Sequence, residues 1–292
     1  MIGARLGPWR LVAPIGTGGM GAVYRAVAEA GASVPDGGAV AVKVVHPQLA
    51  DDPGHVSRFL REAELGRLIV HENLVRTLGA GEAEHEGRRV RYLVMDLVEG
   101  RTLRRMVEDL GRLPEALLRE VAAQTCRALS AVHTAGVVHR DVKPENVVLT
   151  PDHRVKLMDL GVARVLEGGA ALTRTGSIAG SLLYVAPEQV RGDGLGPDLY
   201  ALGMTLYELA VGRHPFAGLS VPALLDAQWK RVPERLDRVD RGLSPFFASL
   251  VDALVEKQPE RRPRDAAEVV TILAQGEEGP WWRERVARGP AP

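Results

Sequence analysis

Apolar positions along this chain change rhythm about a third of the way in. Over the first hundred or so residues they come as short runs rich in Val, Ile, Leu and Ala, broken by glycines, prolines and charges. Residues 11–15 and 23–27 are two such strand-like runs, separated by Gly16-Thr17-Gly18-Gly19-Met20-Gly21. Residues 28–38 read as a turn-rich connector, and 39–45 as a further strand with one lysine, Lys43, inside it. Asp51-Asp52-Pro53 precedes a helix over about 56–69, which puts Phe59, Ala63, Gly66 and Ile69 on one stripe. A turn at 71–75 and a strand at 91–96 follow. From there the spacing is helical. Pro114 suits a first helical turn, and Leu117, Val121, Thr125, Ala128 and Val132 recur on one face. An apolar helix over 199–211 opens behind Asp198, and a last one spans 265–275.

The densest chemistry is His139-Arg140-Asp141-Val142-Lys143-Pro144-Glu145-Asn146, flanked by the apolar 136–138 and 147–150. Both flanks are β-prone, so the polar segment reads as a loop between strands. A carboxylate and a carboxamide five residues apart on such a loop can point into one cavity. After a strand at 155–158, Asp159 brings a second carboxylate back. Mg²⁺ favours a few protein oxygens together with substrate phosphates, and a nearby lysine suits the same anion. The spacing therefore points to polyphosphate chemistry. A lone G-x-G-x-x-G also matches dinucleotide-binding folds, but there a helix follows the glycines. Here a strand-like run follows, which favours a glycine-rich hairpin.

Charge and cysteine content narrow the partners. Lys plus Arg and Asp plus Glu both number 37, for a formal net charge of zero. Such a balance gives no general attraction to nucleic acid or acidic membranes. Cys126 is the single cysteine, so no internal disulfide forms, and it reads as a small buried thiol. With no run of eighteen apolar residues and no signal-peptide layout, a cytoplasmic protein with no membrane partner is expected.

Taken in order, these segments resemble a protein-kinase catalytic core over about residues 9–276. Phe59-Leu60-Arg61-Glu62-Ala63, Gly81-Glu82-Ala83-Glu84, Val94-Met95-Asp96 and Pro187-Glu188-Gln189 look most like bacterial eukaryotic-like Ser/Thr kinases of the mycobacterial receptor type. Lys143, two residues after Asp141, marks a Ser/Thr rather than a Tyr kinase. The resemblance implies an α+β, bilobal kinase-like fold. Its small, mostly β N-lobe would span 9–96, its mostly helical C-lobe 97–276, and 277–292 would be a C-terminal tail. It implies ATP with Mg²⁺ (or Mn²⁺), protein substrates, and a homodimer for autophosphorylation in trans.

The same resemblance assigns residues. Asp141, Lys143, Lys43 and Glu62 would be catalytic, with Glu62 holding Lys43 on the α- and β-phosphates. Asn146 and Asp159 would hold metal. The ATP site would take Ile15, Gly16, Thr17, Gly18, Gly19, Met20 and Gly21 from the glycine-rich loop, with Val23, Ala41 and Val148 around the base. Met95 would be the gatekeeper, and the backbone of Asp96 and Val98 would meet the adenine edge. Arg262 would pair with Glu188. Thr173 and Thr175 would be phosphorylated, the charge neutralising Arg140. Ser181 stands where such enzymes carry a Thr touching the catalytic Asp and Lys.

The chain departs from the family pattern at Asp159-Leu160-Gly161, where Leu replaces Phe, and at Gly66. Protein kinases usually place a side chain four residues after the helical Glu, in an apolar column; a missing one removes contact worth about 1 kcal/mol. On that reading Gly66→Leu should raise basal activity, the alternative being that overpacking costs stability. Two other readings are a pseudokinase scaffold and a small-molecule kinase of the aminoglycoside type. The first usually lacks one of the Lys or Asp positions that are all present here. The second lacks the long segment ending in Ala186-Pro187-Glu188. The sequence leaves open whether Trp281 and Trp282 pack on the domain or sit in a tail.

Overall fold

A computed structural model describes residues 1–18, 21–50, 53–160, 180, 182–190 and 196–288. The chain divides into two compact units, one built on Met1–Glu99 and the other on Gly100–Asp159 and the described chain from 180 onward.

In the first unit, β1 (Arg5–Leu6), β2 (Trp9–Gly18), β3 (Gly21–Ala28), β4 (Ala39–Val45), β5 (Thr77–His85) and β6 (Arg88–Asp96) form one antiparallel sheet. Its order is β1-β2-β3-β4-β6-β5. Pairing of β2 with β3 runs as far as Gly18↔Gly21, so a strand and not a helix follows the glycines. A Cβ at Gly21 would strike the Val44 carbonyl and lie 3.2 Å from Val45 Cα, which excludes any larger residue.

Strand alternation gives the sheet two distinct faces. Val40, Val42 and Val44 pack with Leu6, Trp9, Leu11, Tyr92 and Val94 on one of them. Ala41 and Lys43 point the other way. There Ala41, Leu93 and Met95 meet Ala63 from α2 (Pro53–Leu68), which follows the single turn α1 (Pro47–Ala50). Phe59, Ala63 and Gly66 do share the inward stripe of α2, with Ile69 buried just past its end, while Leu60 and Leu68 are exposed.

Gly66 requires a correction. A Cβ there would lie 3.0 Å from Thr77 Cβ and closer still to the Thr77 hydroxyl. Among the described residues the space beside Gly66 is taken by Thr77 on β5, and glycine is what lets α2 come so close. Gly66→Leu is therefore expected to overpack the site.

The second unit starts with β7 (Arg101–Thr102), α3 (Leu103–Leu110) and α4 (Glu115–Thr134), followed by β8 (Val147–Leu149) and β9 (Val155–Leu157). These three strands form a small antiparallel sheet in the order β7-β8-β9. Then come α5 (Gly196–Val211), α6 (Val221–Lys230), α7 (Leu236–Val239), α8 (Pro245–Leu254), α9 (Ala266–Gln275) and α10 (Pro280–Arg288). Helix α5 is buried from Pro197 to Ala210, and α4 and α8 pack against it. That full burial explains its lack of a polar face. On α4 the expected face is buried at Val121, Thr125, Ala128 and Val132, while at its start Leu118 is buried and Leu117 only half-buried. Residues 136–138 are not a strand either. The Val137 N–H closes the end of α4 on Val132 O (3.2 Å), so no strand partner can take it.

The last segment packs onto the second unit. Trp281 and Trp282 meet the Phe246 ring edge-on at 5.9 and 5.8 Å between centroids. Arg119 lies 4.6 Å over the same ring and pairs with Glu277 at 2.5 Å. Among the described residues no helix is long and apolar enough to cross a membrane.

Candidate active site

The candidate residues form two constellations, one in each unit. In the first, Lys43 sits two residues after Ala41 on β4 and so shares its face. Its Nζ is 3.5 Å from Glu62 Oε1 on α2, with the two side chains 13% and 8% exposed. Val23 pairs across from Lys43, and Met95 stands between Ala41 and Thr77 in the sheet. Ile15, Gly16, Thr17 and Gly18 are exposed at the end of β2. A Cβ at Gly16 or Gly18 would meet no described atom within 4 Å. Nothing among the described residues demands glycine at either position. Gly19 and Met20 lie outside the described residues. Asp96 is exposed and Val98 half-buried just past β6, and the Asp96 N–H is already taken by Arg76 O at 3.0 Å.

The second constellation is the loop 139–146 with the end of β9. Lys143 Nζ donates to Asp141 Oδ2 at 3.0 Å, and Asn146 Nδ2 donates to the same oxygen at 2.7 Å. Asn146 Nδ2 also donates to Asp141 O at 2.9 Å, so its amide hydrogens serve Asp141 and its carbonyl oxygen turns away. Met158, just before Asp159, is held at both backbone atoms. Its N–H donates to Asn146 O (2.8 Å) and its carbonyl accepts from His139 Nε2 (3.1 Å). His139 is fully buried, which pushes its pKa down and keeps it neutral. Its Nδ1 accepts the Asp141 N–H at 3.3 Å, which leaves Nε2 as the protonated nitrogen. Arg140 and Asp159 both adopt positive φ, 66° and 52°, a conformation L side chains resist. Val148 is buried on β8, between Thr102 and Lys156 in the sheet.

Asp198 anchors this loop. It has no exposed surface, and its oxygens accept the N–H of His139 (2.8 Å) and of Arg140 (2.7 Å). His133 Nε2 lies 2.8 Å from the same carboxylate. Sequence reasoning noted Asp198 only as the start of a helix. A carboxylate at the head of a largely apolar run was the signal it left unused.

A second cluster was also missed. Arg104 on α3 donates to Glu145 (2.8 Å), to Glu208 (2.7 Å) and to the Tyr184 hydroxyl (2.8 Å), and Tyr184 donates to Glu208. Burial and the Glu208 charge push the Tyr184 phenol well above its usual pKa. The segment 182–190 is thereby tied to loop 139–146 and to α5. The expected pair of Arg262 with Glu188 is present: Arg262 Nη2 donates to Glu188 Oε2 at 2.9 Å, with Arg262 fully buried. Gly161, Thr173, Thr175 and Ser181 lie outside the described residues.

The donor chemistry of the second constellation fits a hard divalent cation. Among the described residues no group of three or more His, Cys, Asp or Glu is disposed to hold a metal. Asn146 and Asp159 supply oxygen ligands of the kind Mg²⁺ takes when substrate phosphates and water complete its shell.

Comparison with known proteins places these observations. The family model described as "Protein kinase domain" matches residues 9–272. The chain is 36% identical over 242 residues to Serine/threonine-protein kinase PknB of Mycobacterium leprae, covering 82% of this chain and 39% of that protein. It is 36% identical over 280 residues to Serine/threonine-protein kinase PknA of Mycobacterium tuberculosis, covering 94% of this chain and 63% of that one. The chain thus spans less than two thirds of the length of either relative. Among solved structures, the crystal structure of Rad53 1-466 in complex with AMP-PNP aligns with a TM-score of 0.71 at 25% identity. That alignment covers 90% of this chain and 64% of the other.

Proposed function

This chain belongs to the protein kinase family, and from that membership we propose that it transfers the γ-phosphoryl group of ATP to Ser or Thr hydroxyls of proteins. The observation that carries the reading is the Asp141 carboxylate, held at one oxygen by Lys143 and Asn146. With Oδ2 fixed, the carboxylate is oriented to take a proton from an incoming hydroxyl, and Lys143 stands ready for phosphate charge.

Phosphoryl transfer spreads charge over the equatorial oxygens, so catalysis rests on positioning and electrostatics. Asp141 orients the substrate hydroxyl and accepts its proton. Lys43, steadied by Glu62, and Lys143 neutralise phosphate charge. The backbone of residues 16–21 covers the phosphates. Ala41, Val23, Met95 and Val148 are the apolar surroundings of the base, with the Asp96 and Val98 backbone at its edge. Asn146 and Asp159 would hold a divalent cation, Mg²⁺ or Mn²⁺, which would offset phosphate charge. Protein substrates, a transient homodimer for phosphorylation in trans, and a cytoplasmic setting with ATP at hand complete the proposal.

The test is incubation with Mg-ATP and a generic basic protein, comparing the unaltered chain with Asp141→Asn. The variant is expected to lose about 10²–10⁴-fold in kcat, the usual worth of a positioned base, and to stay folded by circular dichroism. Near-wild-type transfer by Asp141→Asn would overturn the reading.

A further inference from the structure

We propose that Gly66 and Thr77 form a size-matched positioning pair that sets where Glu62 meets Lys43. The proposal rests on the kinase reading above for its consequence on rate, but its geometry stands within the first unit alone.

Glu62 and Gly66 are four residues apart on α2 and so lie on the same side of the helix, one turn from each other. At Gly66 the helix backbone comes close enough to β5 that an added Cβ would sit 3.0 Å from Thr77 Cβ. Thr77 is 8% exposed. It pairs with Met95 across the sheet, and the register of β5 shifts immediately after it, between Thr77 and Gly79. Met95 in turn pairs with Ala41, two residues before Lys43 on β4. The lysine and its carboxylate are therefore linked by one rigid path through the sheet. Its closest helix-to-strand step is the Gly66–Thr77 contact, beside the packing of Ala63 on Ala41, Leu93 and Met95.

That contact has no slack. Rotating the stiff, β-branched Thr77 moves its hydroxyl but leaves its Cβ in place. Ordinary carbon–carbon contact is about 3.5–4.0 Å, so a side chain at 66 requires α2 or β5 to give by about half an ångström. The Lys43–Glu62 separation is already 3.5 Å, and such a shift takes the pair apart. A misplacement of about 1 Å can cost about 10²-fold in rate. Intrinsic propensity argues the other way, since glycine is the poorest helix former after proline and Ala the best. The position is thus held by the Thr77 contact and not by the needs of the helix.

The experiment compares four forms of the chain: unaltered, Gly66→Ala, Thr77→Gly, and the double variant Gly66→Ala/Thr77→Gly. Removing Thr77 beyond Cα clears the three nearest atoms that an added Cβ at 66 would meet. Two readouts are taken on folded protein: kcat with Mg-ATP and a basic protein, and the acylation rate of Lys43 by a lysine-directed ester without nucleotide, followed by peptide mass spectrometry. Gly66→Ala is expected to lose about 10–100-fold in kcat and to change its Lys43 acylation rate. The double variant is expected to recover most of both. A folded Gly66→Ala with unaltered kcat and Lys43 reactivity would overturn the proposal. If Gly66→Ala does not fold, the double variant must exceed Thr77→Gly in kcat, and failure to do so overturns the proposal equally. Absence of phosphate transfer by the unaltered chain would sink the kinase reading instead, and the Lys43 acylation rates would then decide this inference alone.

Discussion

Lys43 and Glu62 face each other at 3.5 Å between Nζ and Oε1, across the boundary between a strand and a helix, with both side chains largely buried. A buried pair of this kind contributes little net stability, because desolvation offsets the attraction. Its value here is orientation. Glu62→Gln keeps the shape and an acceptor oxygen while removing the charge. It is expected to lower kcat by about 10–100-fold with little change in melting temperature. Steady-state kinetics with Mg-ATP, alongside a thermal melt, check this.

The Asp198 carboxylate carries two loop N–H groups and the His133 ring. Asp198→Ala strands two buried donors, each worth about 1–3 kcal/mol when unsatisfied. The expected result is a marked loss of stability in urea titration and loss of phosphate transfer together. Asp198→Asn keeps one acceptor oxygen and should recover part of the stability. Full stability in the Ala variant would show that water or another group replaces the carboxylate.

Stability should fall in mild acid. His214 is buried, which lowers its pKa from 6.5 to about 3, and its Nδ1 accepts the Phe216 N–H at 3.1 Å. The Leu183 backbone raises the value slightly, while Arg104 and Lys257 lower it. Between those two pKa values the unfolded chain binds the extra proton. The contribution is therefore complete above about pH 6.5 and is lost as pH falls toward 3. At pH 5 the loss from this residue is about 2 kcal/mol. Burial of His139 acts in the same direction. Melting curves from pH 7.5 to 5 should show the decline, and His214→Asn should flatten it; an unchanged slope in that variant would refute the assignment.

The C-terminal segment should stabilise the second unit. Each edge-on ring pair with Phe246 is worth about 0.5–1.5 kcal/mol beyond its buried area. A Trp281→Ala, Trp282→Ala double variant is expected to lower the melting temperature by several degrees while leaving kcat per folded molecule unchanged. Differential scanning calorimetry with an activity assay below the transition checks both halves.

Activation should involve Thr173, Thr175 or both. A phosphothreonine brings roughly −1.5 to −2 charge and three acceptor oxygens, suited to a cation such as Arg140. Mass spectrometry should find phosphate on these threonines in the unaltered chain and not in Asp141→Asn. Full activity in the Thr173→Ala, Thr175→Ala double variant would end the idea.

Much of this protein was legible in local sequence. The glycine run followed by a strand, the lysine inside β4, the five-residue spacing of Asp141 and Asn146, and the inward stripe of α2 all depend on interactions a few residues long. Periodicity and turn chemistry register such interactions directly. Pairing of Arg262 with Glu188, 74 residues apart, was reached only through a family pattern. The Asp198 anchor spans 59 residues to His139, and the Arg104–Tyr184 contact spans 80. Nothing in either local stretch marks its partner.

Gly66 shows the limit most clearly. By itself it read as a missing side chain and a weakened helix, because propensity and periodicity count only what a residue contributes. Whether the vacated space is empty depends on what the rest of the chain brings there, and Thr77 on β5 fills it. The fate of Trp281 and Trp282 was undecided for the same reason. An aromatic pair near the end of a chain finds a use only where another element offers a ring such as Phe246. The local sequence determined which elements form and which chemistry each carries. The return of distant segments decided which carboxylate meets which cation, because close packing admits one arrangement of neighbours at each buried position.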